Sequence, residues 1–167
     1  MKVFVDGNAL LDHLSEKADE LVIPGDRESS RDNLARWLSN YGKAQDCTVT
    51  LIFKNEPDAG TRTPYEHHGR TTVVNLKPDE EVRKEIAGPA NRAAGDERTY
   101  VVTADPNLEE VISGDRARVY RPSRFMSKAR KVMGAADEGG VDEPHQKYTG
   151  VPEEEVEFWA DMFEDDN

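Results

Sequence analysis

The chain has 167 residues, one cysteine, 36 % hydrophobic residues and a formal net charge of −12. A chain of this length forms one domain with an ordinary core, and the lone Cys47 excludes a disulfide framework. No apolar stretch is long enough for a membrane span and the opening MKVFVDG is unlike a signal peptide, so we expect a cytoplasmic protein.

The negative charge is concentrated at one end of the sequence. Residues 135–167 contain twelve Asp and Glu but one Lys, so the rest of the chain is close to neutral. Within that rest, residues 115–133 carry seven Arg and Lys against one acid, and we call these seven cations the basic stripe. Such a stripe can bind phosphates, although a solvated helix face has the same composition. Its members are Arg116, Arg118, Arg121, Arg124, Lys128, Arg130 and Lys131.

The chain begins with the pattern of a strand, a turn and a helix. Residues 1–5 are mostly apolar and run into Asp6-Gly7-Asn8, where we expect a tight glycine turn. The apolar residues between 10 and 21 then recur at helical spacing rather than alternating, so a helix follows the turn.

A second helix and a second strand are expected next. Ser29 or Ser30 can cap the helix, which ends at Gly42, and residues 48–53 have the composition of a strand. Residues 54–70 are polar and rich in Pro and Gly, which predicts a long loop.

The following segment repeats the alternation. Residues 71–76 are a third strand candidate, and Pro78 suits the first turn of a helix that Gly88-Pro89 should break or kink. Residues 99–103, TYVVT, are the clearest buried strand, and a short helix through residue 112 follows them.

The last part of the domain is a brief edge strand over 118–120 and a helix capped by Ser123. Strands and helices therefore alternate along residues 1–134. This order predicts an α/β fold, a three-layer sandwich with a central, mostly parallel sheet.

The C-terminal part has a different composition. Residues 135–151 are acidic and rich in Gly, which predicts a flexible linker, and residues 152–167 predict an acidic amphipathic helix. Val156, Trp159 and Phe163 would share one face of that helix, which either packs on the domain or binds a partner.

Four acids follow predicted strands. Asp6 comes after the first strand, Asp105 after TYVVT, and Asp79 and Glu80 lie in the expected helix turn after the third strand. In parallel sheets, ligands bind beyond the carboxyl ends of the strands, so these acids can converge, although each can also be a turn or capping residue. Clustered carboxylates suit Mg²⁺ or Mn²⁺, and such an ion supports phosphodiester hydrolysis.

Several motifs in this order resemble the NYN/YacP-like nucleases of the PIN-like group. MKVFVDGNALL is similar to that family's opening, where a strand ends in Asp-Gly-Tyr-Asn. Pro78-Asp79-Glu80 resembles its Ala-Asp-Asp/Glu segment, Thr103-Ala104-Asp105 its Thr-Ser-Asp, and Ser123-Arg124-Phe125 the start of a downstream helix. The likeness spans nearly the whole chain, through the Trp-containing C-terminal helix.

The resemblance implies a metal-dependent endoribonuclease. Asp6, Asp79 and Asp105 would be the catalytic, metal-binding acids, Glu80 would substitute for Asp79, and Asn8 would orient an acid or a water molecule. The implied partners are Mg²⁺ or Mn²⁺ and RNA, including messenger RNA on the ribosome. From their charge rather than from the family, we expect the substrate-binding residues to be Lys54, Arg116, Arg118, Arg121, Arg124 and Lys128, and we favour a monomer over an oligomer.

Two other functions fit the same residues. Many relatives have an acid after the second strand where this chain has Lys54, which either holds a phosphate or weakens metal binding, with Glu56 as a stand-in acid. A catalytically silent RNA- or ribosome-binding module is therefore an alternative, and a toxin-like protein-interaction domain is another. The histidines have no metal-ligand spacing and are expected on the surface; they are His13, His67, His68 and His145.

Overall fold

The structure, a computed structural model, describes residues 1–57, 62–93, 98–112 and 117–138. Within these ranges, the strands form one sheet, and helices connect most of them. The strands are β1 (Lys2–Asp6), β2 (Thr48–Lys54), β3 (Tyr65–His68), β4 (Thr71–Leu76), β5 (Thr99–Val102) and β6 (Arg118–Tyr120). The helices are α1 (Gly7–Glu16), α2 (Arg27–Ala44), α3 (Val82–Asn91), α4 (Pro106–Val111) and α5 (Pro122–Glu138).

The sheet has the order β3-β4-β2-β1-β5-β6, and every neighbouring pair is parallel except β3 with β4. From β1 the chain first builds outward through β2 and β4, then returns to the other side of β1 for β5 and β6. The strand order therefore reverses between β1 and β5, and the crevice above their carboxyl ends is a topological switch point.

Two hydrophobic cores cover the faces of the sheet. One lies under α1, α2 and α5 and includes Leu10, Leu34 and Phe125; the other lies under α3 and α4 and includes Ile86 and Leu108. Helices on both faces of a mostly parallel sheet confirm the predicted three-layer α/β architecture.

The predicted loop over 54–70 is only partly correct, because residues 65–68 form β3. This strand pairs antiparallel with β4, with Tyr65 opposite Val74 and His68 opposite Thr71. Gly69 makes the turn between the two strands at a φ of 59°. The sequence of β3, YEHH, has no apolar residue that alternation could reveal, so its pairing with β4 defines the strand.

Several helix ends also differ from the predictions. Asp26, not Ser29 or Ser30, caps α2, since its Oδ1 accepts the N–H of Ser29 at 2.9 Å. This hydrogen bond and a second one from the Ser29 hydroxyl lower the pKa of Asp26. The helix α5 begins at Pro122, where a proline is favoured, so Ser123 lies inside it. The helix α1 ends at Glu16, before Ala18 with its φ of 50°.

The helix α3 starts later and continues further than expected. Residues 77–80 form a turn instead of its first turn, because the Glu80 carboxylate accepts the N–H of Lys77 at 2.7 Å. The helix then passes through Pro89 and ends at Asn91, whose side chain donates to the carbonyl of Val111 at 3.1 Å.

The boundary between the domain and the predicted linker stays a prediction. The helix α5 continues to Glu138, four residues beyond the expected end of the domain at 134. The rest of the predicted linker and the predicted helix over 152–167 lie outside the described residues.

Candidate functional site at the carboxyl ends of the strands

Asp6 ends β1 and caps α1. Its Oδ1 accepts the backbone N–H of Ala9 at 3.1 Å, which fixes the carboxylate at the mouth of the switch point. Burial raises the pKa of Asp6, the backbone N–H groups oppose this effect, and the negative charges of Asp105 and Asp12 raise the pKa further. The structure therefore places Asp6 within the electrostatic reach of Asp105.

Asp105 has the equivalent position on the neighbouring strand. It follows β5 and caps α4, where its Oδ1 accepts the N–H of Asn107 at 2.9 Å. Its own backbone N–H donates to the hydroxyl of Thr103 at 3.1 Å. Because Val5 pairs with Val102 in the sheet, the two acids lie on opposite sides of one crevice.

Arg83 is the neighbour of Asp105 that sequence reasoning missed. Its Nε and Nη2 atoms lie 3.3 and 3.2 Å from Oδ2 of Asp105, in a half-exposed ion pair. Arg83 is the second residue of α3, so its position depends on where that helix starts. The sequence carries no local signal for this pair, because Asp105 lies 22 residues after Arg83.

Asp79 and Glu80 lie in the exposed turn before α3. Glu80 bonds back to Lys77, as described above, and Asp79 does not join Asp6 and Asp105 in a group of three close ligands. Among the described residues, the one such group has its ligand atoms within 4.8 Å of one another and consists of Asp32, Glu66 and His68.

This other cluster lies between α2 and β3. Glu66 accepts a hydrogen bond from Asn75 at 2.6 Å and lies 3.9 Å from Nη1 of Arg62 and 3.8 Å from Nε2 of His68. A carboxylate that already has an amide and a guanidinium beside it has less need of a metal ion. The cluster could not be predicted from the sequence because β3 was not predicted. His68, which we expected on the surface, is half-buried beside Glu66.

Asn8 and Lys54 meet at the rim of the crevice. The Asn8 amide donates to the carbonyl oxygen of Lys54 at 3.3 Å, which joins the start of α1 to the end of β2. The Lys54 side chain is exposed. Asn8 thus contacts main chain, and its predicted role in orienting an acid or water stays a prediction.

A buried guanidinium connects two strands at the same edge of the sheet. Arg31 of α2 lies 4.0 Å from the centre of the Phe53 ring and hydrogen-bonds the side chains of Asn75 and Asn55, the latter at 3.4 Å. Burial lowers the pKa of Arg31, and the nearby charge of Glu66 opposes that shift. These contacts hold the ends of β2 and β4 together beside the crevice.

A polar cleft opens next to these strand ends. Its empty volume is about 1060 Å³, and its walls come from the segments after β2 and β4, from β3 and from α3. Three acids and two cations line it, together with the exposed ring of Tyr65; the charged residues are Glu56, Arg62, Lys77, Glu80 and Glu85.

The basic stripe is divided between several environments. Arg116 lies outside the described residues, Arg121 and Arg124 are exposed, and Arg118 and Lys128 are half-buried. Arg130 bonds Asp19 at 2.5 Å and so ties α5 to the segment after α1. Substrate binding by the stripe stays a prediction, and Arg130 has a structural partner instead.

Comparison with known proteins identifies the family. A model of the YacP-like NYN domain matches residues 3–161. The chain belongs to this family. No curated protein sequence matches the chain.

Two solved structures of a family member are similar to this YacP-like NYN domain. The crystal structure of Rae1 (YacP) from Bacillus subtilis aligns with a TM-score of 0.67 and 17 % identity over 83 % of this chain and 78 % of that chain. The structure of a tryptophan-to-leucine mutant of the same Bacillus subtilis protein aligns with a TM-score of 0.66 and 17 % identity over 95 % and 91 %. These alignments confirm the fold, and the family match confirms the resemblance inferred from the motifs.

The donors of this NYN domain suit a hard divalent cation. Asp6 and Asp105 offer carboxylate oxygens, the ligand type that Mg²⁺ and Mn²⁺ prefer, and a helix N-terminus fixes one oxygen of each.

Over the described ranges, no helix is long and apolar enough to cross a membrane.

Proposed function

We propose that this YacP-like NYN domain is a metal-dependent endoribonuclease that hydrolyses RNA phosphodiester bonds beside Asp6 and Asp105. The observation that supports this function is the position of the two carboxylates on either side of the switch point, with the pKa of Asp6 raised by burial and by Asp105. Neighbouring carboxylates whose negative charges repel each other are a common arrangement for binding a cation.

Each residue has a distinct part in this proposal. A bound Mg²⁺ or Mn²⁺ would activate water and stabilise charge on the phosphodiester. Asp6 and Asp105 would hold the ion, and Asp79 or Glu80 would approach from the exposed turn before α3. Asn8 keeps the wall of the crevice in place through the Lys54 carbonyl.

The proposed substrate class rests on the family and on the cations of Lys54 and the basic stripe. Lys54 and the exposed Arg121 and Arg124 would contact phosphates, together with Arg116, Arg118 and Lys128. The cleft beside β2 and β4 would hold a single strand of RNA, and the exposed Tyr65 ring offers a surface on which a base can stack. Messenger RNA on the ribosome is the more specific substrate that the family resemblance implies.

The test is cleavage of single-stranded and structured RNA by the full-length protein, with Mn²⁺ or with a chelator. We expect cleavage only with metal, and a loss of at least ~100-fold in rate for Asp6→Asn and Asp105→Asn. Glu109→Gln is the matched control, because Glu109 is an exposed acid on the helix that Asp105 caps. Full activity in both Asp variants would refute the site.

A catalytically silent RNA-binding module is the second candidate. It is favoured by the Arg83 guanidinium on Asp105 and by the fact that Asp6, Asp79 and Asp105 do not form a group of three close ligands. Under this alternative the wild-type protein binds RNA without cutting it, and Mn²⁺ does not raise its melting temperature. Cleavage that depends on Mn²⁺ would exclude the silent module.

A further inference from the structure

An apolar groove lies between α5 and the sheet, beside the start of β1. It is lined by the start of β1, by Tyr41 of α2, by Tyr100 and Tyr120, and by the α5 side chains of Phe125, Lys128, Ala129 and Val132. The groove is shallow, and the space of about 390 Å³ between its walls includes open solvent at its mouth. The aromatic walls are buried, whereas Met1, Lys128 and Val132 at its mouth are only half-buried.

Cations border this groove on the α5 side. Lys128 is part of the lining, and Arg124 and Lys131, four residues before and three after it, share its face of the helix. The Arg124 guanidinium and the Lys128 ammonium lie 5.4 and 5.7 Å from the centre of the Tyr120 ring. A well-matched occupant therefore combines apolar side chains with acidic ones.

The end of this same chain has that composition. Residues 152–167 contain eight Asp and Glu, no Lys or Arg, and a predicted helix face of Val156, Trp159 and Phe163. The family match extends to residue 161, so the segment with Trp159 is part of the matched YacP-like NYN domain and not an addition to it.

The connection is long enough for this segment to return to α5. The helix α5 ends at Glu138. The residues between it and Pro152 can span about 40 Å when extended. The path from Glu138 back along α5 to Val132 is only about 9 Å. A tethered segment also has a high effective concentration at the groove, which favours it over a free partner.

We propose that residues 152–163 dock in this groove, with Trp159 and Phe163 in its apolar part and the flanking acids beside Lys128 and Lys131. The inference goes beyond the nuclease function and does not depend on it. Met1 and Val3 line the groove, whereas Asp6, at the other end of β1, and Asp105 do not, so the proposed docking site is separate from the carboxylates.

The test uses the fluorescence of Trp159 in the full-length protein. Trp37→Phe removes the other tryptophan, and acrylamide then reports how accessible Trp159 is. We expect severalfold weaker quenching than in a free peptide of residues 152–167. Val132→Asp at the mouth of the groove should raise the quenching towards that of the peptide, whereas Ser127→Asp, exposed on the same helix, should not.

Variants in the tail keep the test valid even if Val132→Asp fails to fold. Phe163→Ala should expose Trp159, and Phe158→Ala, off the apolar face, should leave it shielded. Equal quenching in protein and peptide, or equal effects of Phe163→Ala and Phe158→Ala, would overturn the proposal. Shielding that is lost on dilution would assign the groove to the tail of a second copy, which also overturns it.

Discussion

The carboxylates of Asp6 and Asp105 have different neighbours in the crevice. Burial and the charge of Asp105 raise the pKa of Asp6, so the folded protein binds this proton more tightly than the unfolded chain. Asp6 therefore destabilises the fold above its folded pKa, and the effect is lost as the pH falls to the ordinary value of a carboxyl group. Asp105 instead has a cation from the chain itself, the guanidinium of Arg83.

We expect Arg83→Ala to tighten the binding of Mn²⁺ by about two- to fivefold, because the metal no longer competes with a half-exposed ion pair for Asp105. Calorimetry of the full-length protein measures the Kd. Lys84→Ala is the matched control: it removes the same charge from the next residue, whose exposed ammonium lies 3.5 Å from Glu81. Equal Kd values for the two variants would mean that Arg83 does not compete with the metal.

At the level of elements, the sequence predicts best where burial and chain order agree. The apolar runs of β1, β2 and β5 are visible in the sequence, and the parallel order then places Asp6 and Asp105 at one edge of the sheet. The start of α3 was not predictable in this way, because the Glu80 carboxylate closes a turn in place of the first helical turn. The contact between Arg83 and Asp105 depends on that start, so it required the structure.

Position 7 requires a glycine for a different reason from the one that the sequence suggested. The sequence suggested a tight glycine turn, but Gly7 is the first residue of α1 and does not have a positive φ. A Cβ atom at this position would lie 2.5 Å from the buried ring of Phe53, which the guanidinium of Arg31 also contacts. The glycine therefore allows α1 to approach the end of β2.

We expect Gly7→Ala to lower the free energy of unfolding by about 1–3 kcal/mol, because the rigid ring of Phe53 must move within a packed core. Gly134→Ala is the matched control, since a Cβ there meets nothing within 4 Å, and it should stabilise α5 by about 0.5–1 kcal/mol. Urea unfolding measures both. A stable Gly7→Ala protein would show that the α1 contact is loose.

At the level of the whole molecule, charge is separated along the chain. The acidic residues 135–167 follow a nearly neutral domain whose basic stripe includes the exposed Arg121 and Arg124. The groove beside α5 joins the two parts: a segment docked there places its carboxylates next to the cations that are proposed to bind phosphates. RNA and the tail would then compete electrostatically even though the tail does not cover Asp6.

This competition predicts tighter RNA binding when the tail acids are neutralised and its apolar face is kept. Glu153, Glu154, Glu155 and Glu157 changed together to Gln should lower the Kd for single-stranded RNA severalfold at low salt, and the gain should shrink as salt screens both attractions. The control carries the same charge change on exposed acids of the domain, Glu16, Glu20, Glu109 and Glu110. Long-range repulsion of RNA depends on total charge, so reducing that repulsion would improve RNA binding equally in both variants. Removing a local shielding of the stripe would improve RNA binding only in the tail variant. Fluorescence titrations at several salt concentrations separate the two effects, and equal gains would show that the tail does not shield the stripe.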